Sequence, residues 1–448
     1  MLDSLKHRGP IRENITLSTS NSKTMVACCA QSGHPPGLIR SKTTTVVANG
    51  SFFEHPESGA AEFVQSRIAK SSASLSALKE TVEEIGGFAC VVVKGKQMYA
   101  FRDINGLKPL YYGLDDRLTA VASERKALWR IGLKETSRIP PGYLCAINKS
   151  GVRKTRVVGF RRPKEKAMSI DEASSKLEQL LVCSIQRITK KIGKVAIAFS
   201  GGLDSALTAA LAKKEGMKVE AVSVGLPDST ELTTVEQYAK QLDLPITLET
   251  FSLGSLEEYL RRVLWLIEEA NLMKVSVAIP LHWAAIVAAR RGYGVMLCGQ
   301  GSDELYGGYA KYARTLGSEG REALANQLYR SVIESSQVNY ERDDQACAPL
   351  NVELRTPFSD PDVIRFSLTI PSEFKVKDQS DVTRKWVLRE VAKRSGLPDE
   401  MTWRRKKAIQ HGTGVENAMR RLAKRQSLTV EQYLSKMYEE VISLTSIP

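Results

Sequence analysis

Residues 195–205 have the sequence Val195-Ala196-Ile197-Ala198-Phe199-Ser200-Gly201-Gly202-Leu203-Asp204-Ser205. The five apolar residues that open the stretch predict a buried strand. The serine and two glycines that follow predict a tight turn of the kind that glycine-rich backbone makes. Residues 206–212 then place strong helix formers at helical spacing, and Gly216 is a suitable stop. The stretch therefore predicts a strand, a turn and a helix in immediate succession.

The predicted turn also has the character of an anion site. Backbone N–H groups point out of such a turn, and the dipole of the following helix favours negative charge. Ser200 and Ser205 add hydroxyl donors. Asp204 would place a carboxylate beside a bound phosphate, which is unfavourable unless a cation such as Mg²⁺ lies between them. No Gly-Lys-Ser/Thr follows, so this is not a Walker A loop. The alternative is a glycine turn that binds no ligand.

Strands alternate with helices on both sides of this stretch, which predicts an α/β fold with a doubly wound parallel sheet. Ser169, with Glu172 three residues on, is a capping-box pattern that starts a helix running to about Lys191. Ligands of such sheets bind at the carboxyl ends of the strands. The other predicted elements here are strands 219–226 and 246–251 and helices 233–242, 255–270 and 278–291.

A second strand and glycine turn has the sequence Val295-Met296-Leu297-Cys298-Gly299-Gln300-Gly301-Ser302-Asp303-Glu304-Leu305-Tyr306-Gly307-Gly308-Tyr309. Two such turns at adjacent strand ends would place Asp204 and Asp303 near one point. Two carboxylates together with triphosphate oxygens make an octahedral Mg²⁺ site. The alternative for Asp303 is a helix N-cap, a role that does not exclude metal binding.

Length and composition predict a soluble globular protein of two domains. The chain has 448 residues, too many for one ordinary core, with 42% hydrophobic and 25% charged residues. It contains no apolar run of the ~20 residues that a membrane span needs, and no signal-peptide segment at its start. The seven cysteines show no metal-ligand spacing, and most lie in apolar runs. This pattern is typical of buried thiols in a reducing cytoplasm.

The net charge of +14 permits a nucleic-acid partner but does not favour one. The basic residues are spread along the chain, with a dense run only at Arg404-Arg405-Lys406-Lys407. The sequence has no zinc finger, RNA-binding aromatic motif or low-complexity arm.

Ser200–Ser205 resembles the pyrophosphate-binding loop of the N-type ATP pyrophosphatases, which have a HUP-like fold. The resemblance implies that ATP is cleaved between its α- and β-phosphates while a substrate is adenylated. It assigns nucleotide binding to Ser200, Gly201, Gly202, Asp204 and Ser205.

The N-terminal third is predicted to consist mainly of strands, among them 43–48, ending at Asn49-Gly50, and a hairpin over 88–101. A helix is predicted at 60–68, followed by a serine-rich loop. Four segments resemble the glutamine amidotransferase domain of asparagine synthetases, an α+β N-terminal-nucleophile fold: His7-Arg8-Gly9-Pro10, Asn49-Gly50, 102–112 and 123–128. The resemblance implies that Arg8 holds the glutamine carboxylate, and that Asn49 and Gly50 form the oxyanion hole.

The nucleophile of that family is a cysteine at the mature N-terminus, some tens of residues before His-Arg-Gly-Pro. Here that motif begins at His7, so the given sequence lacks the catalytic cysteine. Either Met1 is an internal methionine and the start lies upstream, or the glutaminase is lost and free ammonia is used. Cys28 and Cys29 are not substitutes, because neither carries a free α-amine; they are predicted to be buried in a strand over 25–30.

The second glycine turn resembles the asparagine synthetase signature Ser-Gly-Glu-Gly-Ser-Asp-Glu-Leu-Phe-Gly-Gly-Tyr, with Cys298 in place of the first serine and Gln300 in place of the glutamate. The family uses that glutamate in proton handling near the reacting carboxylate. Glutamine forms hydrogen bonds but does not accept a proton at neutral pH. The change therefore bears on the acceptor and on turnover more than on ATP binding.

The last third is predicted to be helical, and three of its segments are similar to the family: 352–360, Lys385-Trp386-Val387-Leu388-Arg389-Glu390 and Trp403-Arg404-Arg405-Lys406-Lys407-Ala408. The last implies that Lys406 binds the α-phosphate during adenylation, with Lys407 in that role if the register shifts by one. The alternative for 404–407 is a solvated basic face.

Taken together, the residues and the resemblance predict an asparagine synthetase-like, ATP-dependent amide ligase. An amidotransferase-like domain would cover 1–160 and an ATP-pyrophosphatase domain 168–448, joined by a linker at 163–166. A carboxylate, that of aspartate for the main interpretation, would be adenylated and then attacked by ammonia, free or derived from glutamine. Lys406, Gln300 and Asp303 are the predicted catalytic residues, and Asp204 and Asp303 the predicted Mg²⁺ ligands. Family position adds Phe199, Val224, Cys298 and Gly299 to the adenosine site.

The predicted partners are small molecules, namely ATP, aspartate and ammonia or glutamine, and the chain is compatible with a homodimer. No membrane partner is expected. Three alternatives stay open: a β-lactam synthetase-like or other adenylating ligase, a tRNA-modifying pyrophosphatase, and a regulatory homologue without catalysis.

Overall fold

The computed structural model describes residues 1–9, 11–19, 22–30, 37–71, 74–227, 229, 231–405 and 412–444. The chain divides into two compact units: an N-terminal unit, Met1–Phe160 with Glu440–Pro448, and a C-terminal unit, Arg161–Glu439. The N-terminal unit contains strands β1 (Ile11–Thr19), β2 (Ser22–Ala30), β3 (Leu38–Arg40), β4 (Thr44–Phe52), β5 (Gly86–Lys94), β6 (Gln97–Arg102), β7 (Tyr111–Leu114), β8 (Thr119–Ala122), β9 (Ser137–Arg138), β10 (Tyr143–Asn148) and β11 (Gly151–Arg156). Its helices are α1 (Ala60–Lys70), α2 (Ser74–Glu83) and α3 (Arg125–Trp129), with a 3₁₀ helix at Leu2–Arg8.

The main sheet of the N-terminal unit is antiparallel, in the order β11-β10-β6-β5-β4-β3. Aromatic side chains from its strands and from α1 form the core, with Phe52 and Phe88 stacked at 4.2 Å. The predicted hairpin is confirmed as β5 and β6. The predicted end of β4 at Asn49-Gly50 is wrong, because Gly50 stays paired with Phe88 and the strand continues. A Cβ on Gly50 would lie 1.9 Å from the carbonyl oxygen of Gly87, so this glycine permits close strand pairing instead of a turn.

The C-terminal unit contains strands β12 (Lys194–Ala198), β13 (Lys218–Gly225), β14 (Ile246–Thr250), β15 (Val295–Leu297) and β16 (Glu353–Arg355). Its helices are α4 (Ile170–Ile188), α5 (Leu203–Lys214), α6 (Glu231–Gln241), α7 (Leu253–Ile267), α8 (Leu272–Arg290), α9 (Ser302–Tyr306), α10 (Ala310–Ser335), α11 (Glu341–Cys347), α12 (Pro361–Thr369), α13 (Trp386–Arg394), α14 (Asp399–Thr402), α15 (Val415–Arg425) and α16 (Val430–Ile442, whose last residues belong to the N-terminal unit). Short turns of 3₁₀ helix lie at Ala348–Leu350, Pro357–Ser359 and Ser372–Phe374, and a π-helical turn at Ser336–Tyr340.

All five strands of the C-terminal sheet are parallel, in the order β14-β13-β12-β15-β16, which confirms the predicted fold. The chain runs outward from β12 to β14 on one side and from β15 to β16 on the other. The order therefore reverses between β12 and β15, and ligands of such sheets bind outside the strand ends at this switch point. The fifth strand, β16, corrects the expectation that the last third is wholly helical.

Two helices of this unit can be compared with the helix starts that local sequence patterns predict. The predicted capping box is confirmed: the Ser169 side chain accepts from the Glu172 N–H, and the Glu172 carboxylate accepts from the Ser169 N–H. Helix α8 begins at Leu272, six residues before the predicted start. It is long and apolar enough to cross a membrane by length and composition, but 72% of its most apolar window is buried inside the unit. That burial is typical of a core helix.

Candidate active site

The turn after β12 forms the first half of the site. The Ser205 hydroxyl accepts a hydrogen bond from the Ser200 N–H at 3.3 Å and donates to the Gly202 carbonyl oxygen at 3.1 Å. Gly201 has a φ of +64°, in the region that favours glycine, and Gly202 is the N-cap of α5. The turn therefore leads directly into the helix N-terminus, and Asp204 lies in the first turn of that helix.

The turn after β15 packs directly against the first turn. A Cβ on Gly299 would lie 2.5 Å from the Cβ of Asp204, so a glycine is required for this approach. Gly301 has a φ of +94° and is the N-cap of α9, the helix that carries Asp303. The Thr356 hydroxyl donates to the Gln300 carbonyl oxygen at 2.6 Å and holds the outer side of the turn.

Lys385 joins the two turns. Its ammonium lies 2.7 Å from Asp204 Oδ1 and 2.6 Å from Asp303 Oδ1, and it donates to the Ser302 hydroxyl at 3.0 Å. The side chain of Lys385 is 3% exposed, whereas those of Asp204 and Asp303 are 15% and 13% exposed. The two carboxylates therefore converge on one point at the switch point of the sheet.

A cleft lies against this point, and its empty space, open solvent included, is about 960 Å³. One part of its wall is apolar, and the other is formed by the first turn and by cationic side chains. The apolar part is lined by Phe199, Val222, Val224, Leu232, Val235, Pro280, Leu281 and Ala284. The cationic side chains are Lys385, Arg389, Arg404 and Arg405. An apolar wall beside an anion-binding turn suits a ligand that has both a flat base and phosphates.

Arg389 and Arg404 hold the cationic part of the wall in place. Buried Arg389 donates to the carbonyl oxygens of Thr383 at 2.6 Å and of Arg404 at 3.2 Å. Burial lowers the pKa of Arg389, and the nearby Asp204 charge opposes this shift. Arg404 donates to the Gly201 carbonyl oxygen at 2.9 Å and lies over the ring of Tyr238. The first turn is thus tied to the segment that precedes Lys406.

The other predicted site residues are distributed around this centre. Phe199, Ser200, Gly202, Asp204 and Val224 line the cleft. Gly201, in the first turn, and Ser205, in the first turn of α5, are buried. Cys298 opens the second turn and is also buried, and burial raises the pKa of its thiol to about 12. Lys406 and Lys407 lie outside the described residues.

Lys385 and Arg389 are functional candidates that sequence reasoning missed. Both belong to a segment that the sequence analysis noted only for its similarity to the family. The signal that could have found them is a pair of cations four residues apart, with Lys385 at the N-cap of α13 and Arg389 inside that helix. The isolated sequence gives no sign that this loop reaches the strand ends.

The profile of the asparagine synthase family matches residues 176–336 and 317–438, more than half of the chain. The chain belongs to the asparagine synthase family. A second profile, described as a glutamine amidotransferase domain, matches residues 23–130. The resemblance stated from the sequence is thereby confirmed.

Relatives in the asparagine synthase family extend over most of the chain. A proposed glutamine-hydrolysing asparagine synthetase 1 of Methanocaldococcus jannaschii is 31% identical, over 82% of this chain and 76% of its own length. Asparagine synthetase 3 (glutamine-hydrolysing) of Arabidopsis thaliana is 24% identical, over 86% of this chain and 69% of its own length. Among solved structures, the phosphoribosylpyrophosphate amidotransferase of B. subtilis is 16% identical over 55% of this chain and 61% of its own, with a TM-score of 0.30, too low to bear on the fold.

In the N-terminal unit of this family member, Arg8 is engaged with a buried carboxylate. The Arg8 guanidinium donates to Glu124, His7 Nε2 lies 2.9 Å from Glu124 Oε1, and the Lys126 ammonium pairs with Glu124 Oε2. Burial would raise the pKa of Glu124, but these three groups hold it well below its usual value. Asn49 and Gly50 lie in β4, opposite Ala89 and Phe88. The roles of Arg8, Asn49 and Gly50 in glutamine binding stay predictions.

Cys28, in the N-terminal unit, is not an activated thiol. Burial and the Glu13 carboxylate raise the pKa of the Cys28 thiol to about 12, and its sulfur lies 3.7 Å from Glu13 Oε2. None of the seven cysteines, all of which lie in the described residues, forms a disulfide. The expectation of buried thiols is wrong for Cys183, which is exposed on α4, and for Cys28 and Cys29, which are only partly buried in β2. A thiol with so high a pKa is not a thiolate at neutral pH, so Cys28 is not poised for nucleophilic attack.

Proposed function

We propose that this protein is an ATP-dependent amide ligase of the asparagine synthetase type. It joins ammonia to the β-carboxylate of aspartate, with AMP and pyrophosphate as the other products. The observation that carries the proposal is the convergence of Asp204 and Asp303 at the switch point, beside a cleft with an apolar wall and an anion-binding turn. Membership of the asparagine synthase family supports it.

The chain's own residues divide the work of the adenylation step. In that step a carboxylate oxygen attacks the α-phosphorus, and the bond from this phosphorus to the bridging oxygen breaks as pyrophosphate leaves. The turn Ser200–Ser205 would hold the two leaving phosphates with its N–H groups and hydroxyls. Phe199 and Val224 would contact the adenine base. Lys406 is our candidate for binding the α-phosphate as its charge develops.

The donor set around Asp204 and Asp303 fits Mg²⁺. Both offer carboxylate oxygens, the ligands that Mg²⁺ prefers, and they already share one cation at 2.6–2.7 Å. Among the described residues, no group of three or more His, Cys, Asp or Glu could hold a metal ion. Phosphate oxygens and water would therefore have to complete the coordination. When bound, Mg²⁺ would supply positive charge that offsets the negative charge of the leaving pyrophosphate.

In the second step the ammonia nitrogen attacks the acyl carbon, the bond from this carbon to AMP breaks, and the nitrogen must lose a proton. Gln300 lies in the second turn, where it can orient groups by hydrogen bonding but cannot take that proton. We propose that the proton leaves to solvent or product. The domains 1–160 and 168–448 are our proposed limits for the amidotransferase-like and ligase parts, with glutamine as an alternative source of ammonia.

We further propose a cytoplasmic protein whose partners are small molecules, and a homodimer as its assembly. The seven cysteines, none of which is in a disulfide, and the reaction's need for ATP support the cytoplasmic location.

Pyrophosphate release from ATP tests the proposed function. Aspartate with ammonium should stimulate release and yield AMP and asparagine in equal amounts, while a panel of other carboxylates should be inactive. Asp204→Asn should reduce the rate at least about 100-fold. Asp243→Asn, at a 97% exposed aspartate, is the matched control and should leave the rate unchanged. Stimulation by a different carboxylate would refute aspartate as substrate, and absence of AMP with every carboxylate would refute the ligase.

A further inference from the structure

The ammonium of Lys385 lies at the point where Asp204 and Asp303 converge. We propose that Lys385 is a positioning residue: in the nucleotide-free protein its ammonium stands in for a divalent ion, so that the ion enters only together with the nucleotide. This inference rests on the proposed function, since it assumes that these two aspartates bind the metal of a metal–nucleotide complex.

The contacts of Lys385 satisfy the requirements of such a stand-in. An ammonium has three N–H donors, and here it donates to both carboxylate oxygens of Asp204, at 2.7 and 2.8 Å, and to the Ser302 hydroxyl at 3.0 Å. Asp303 Oδ1 forms an ion pair with the same ammonium at 2.6 Å. Without a cation, two neighbouring carboxylates would repel each other. Lys385 therefore offsets this repulsion and keeps both carboxylates aimed at one point.

The backbone of Lys385 is fixed, so any exchange must occur by movement of its side chain. Arg384 and Lys385 have φ values of +52° and +56°, and two consecutive non-glycine residues in this region are strained. Hydrogen bonds maintain this conformation: the Lys385 N–H donates to the Lys375 carbonyl at 2.7 Å, and the Asp381 carboxylate accepts from the Arg384 N–H at 2.8 Å. Arg389 also binds the carbonyl of Arg384 at 2.8 Å.

The stem of Lys385 passes through a space that a glycine leaves open. A Cβ on Gly308 would lie 2.4 Å from Lys385 Cε and 1.8 Å from Asp303 Oδ1. The side chain of Lys385 thus places its amine directly between the two carboxylates, so that Lys385 is more than a positive charge nearby. The side chain also lines the cleft, so a short rotation would bring the amine to a ligand there.

Charge balance explains why metal and nucleotide would bind together. Two carboxylates and one ammonium carry a net charge of −1. A divalent ion arriving alone must displace the buried ammonium from its partners, and an unpaired buried charge is costly. A triphosphate arriving with the ion offers the displaced ammonium new oxygen acceptors. The nucleotide must then raise the affinity of the protein for the metal. By linkage, the metal must raise the affinity of the protein for the nucleotide by the same factor.

Binding of Mn²⁺, measured by electron paramagnetic resonance with and without α,β-methylene-ATP, tests this inference. In the native protein the analogue should tighten Mn²⁺ binding at least tenfold. Lys385→Met should bind Mn²⁺ alone at least tenfold more tightly than the native protein does. The analogue should increase the Mn²⁺ affinity of this variant by less than it does in the native protein. Lys385→Arg keeps the charge and should retain the native dependence on the analogue. Lys393→Met, an exposed lysine on the same helix, is the matched control and should behave like the native protein.

Two results would overturn the inference. One is native protein that binds Mn²⁺ equally well with and without the analogue, a result that needs no variant. The other is a Lys385→Met protein that melts cooperatively and binds the analogue but gains no affinity for Mn²⁺. Failure of the proposed function looks different: native protein would then bind no analogue at all, in the presence or absence of Mn²⁺.

Discussion

Each unit of the molecule contains one compact charge cluster, and the two have opposite signs at their centres. In the N-terminal unit the carboxylate of Glu124 is surrounded by His7, Arg8 and Lys126, all buried. In the C-terminal unit the ammonium of Lys385 is held by two carboxylates in the wall of a large cleft. In the first cluster the charges form ion pairs with one another inside the protein, and we expect these pairs to stabilise the fold. The second faces a space that a ligand can fill, so its ion pairs can be exchanged.

The largest expected effect is on the N-terminal cluster. Glu124→Gln removes the charge that pairs with Arg8 and Lys126, and breaking a buried ion pair in this way costs about 3–5 kcal/mol. Unfolding of the N-terminal unit by urea should show the loss directly. Glu135→Gln, an exposed acid of the same unit, should change stability by less than about 0.5 kcal/mol. Equal losses in the two variants would mean that Glu124 is not a structural counter-ion.

The pH dependence of that loss sharpens the comparison. Since its cationic neighbours hold the pKa of Glu124 well below its usual value despite burial, the carboxylate contributes stability above its unfolded-state pKa. This contribution is lost as the pH falls through the lower, folded-state pKa. The stability difference between native protein and Glu124→Gln should therefore be complete above about pH 5 and shrink below about pH 4. A difference that grows in acid would contradict the assignment.

A smaller loss, expressed as activity, is expected from Gly308→Ala in the C-terminal cluster. The new Cβ would lie 1.8 Å from Asp303 Oδ1 and would displace the carboxylate or Lys385. A misplacement of about 1 Å at a reacting centre reduces the rate about 100-fold. The rate of pyrophosphate release measures this loss. Gly294→Ala is the matched control, because a Cβ there meets nothing within 4 Å. A native rate in Gly308→Ala would show that the packing of this cluster does not matter for turnover.

The smallest effect is expected from Arg389→Lys. The guanidinium reaches carbonyl oxygens on two segments, whereas a lysine amine can reach only one of these segments at a time. The variant should lose about 1–2 kcal/mol of stability and raise the KM for ATP several-fold, because the segment carrying Arg404 is less well held. Arg394→Lys, a half-exposed arginine on the same helix, should change neither quantity measurably.

The parallel sheet and its two glycine turns could be predicted from the sequence because each signal there is local. An apolar run followed by glycines specifies a strand and a turn within a dozen residues, as at Val195–Ser205, and helix start signals such as Ser169 with Glu172 are equally short. The convergence of Asp204 and Asp303 then follows from the rule that parallel strands end at the same edge. Their role in metal binding stays a prediction.

What the sequence could not provide are the features that depend on distant partners. Strand β16 is only Glu353–Arg355, and it is a strand because it pairs with β15. The serines around Ser74 predicted a loop, yet α2 forms there because its apolar face, including Leu78 and Val82, packs into the core. Lys385 reaches Asp204 across 181 residues of sequence, and no local pattern encodes that contact.

The apolar helix α8 has a consequence for how the protein is made. Its cover is formed in part by α11 and α15, which are synthesised after it. While the ribosome is still translating those segments, α8, which is as apolar as a membrane-spanning helix, is not yet covered by them. Nascent chains should therefore be most prone to aggregate, and most dependent on chaperones, between the emergence of α8 and completion of the C-terminal helices.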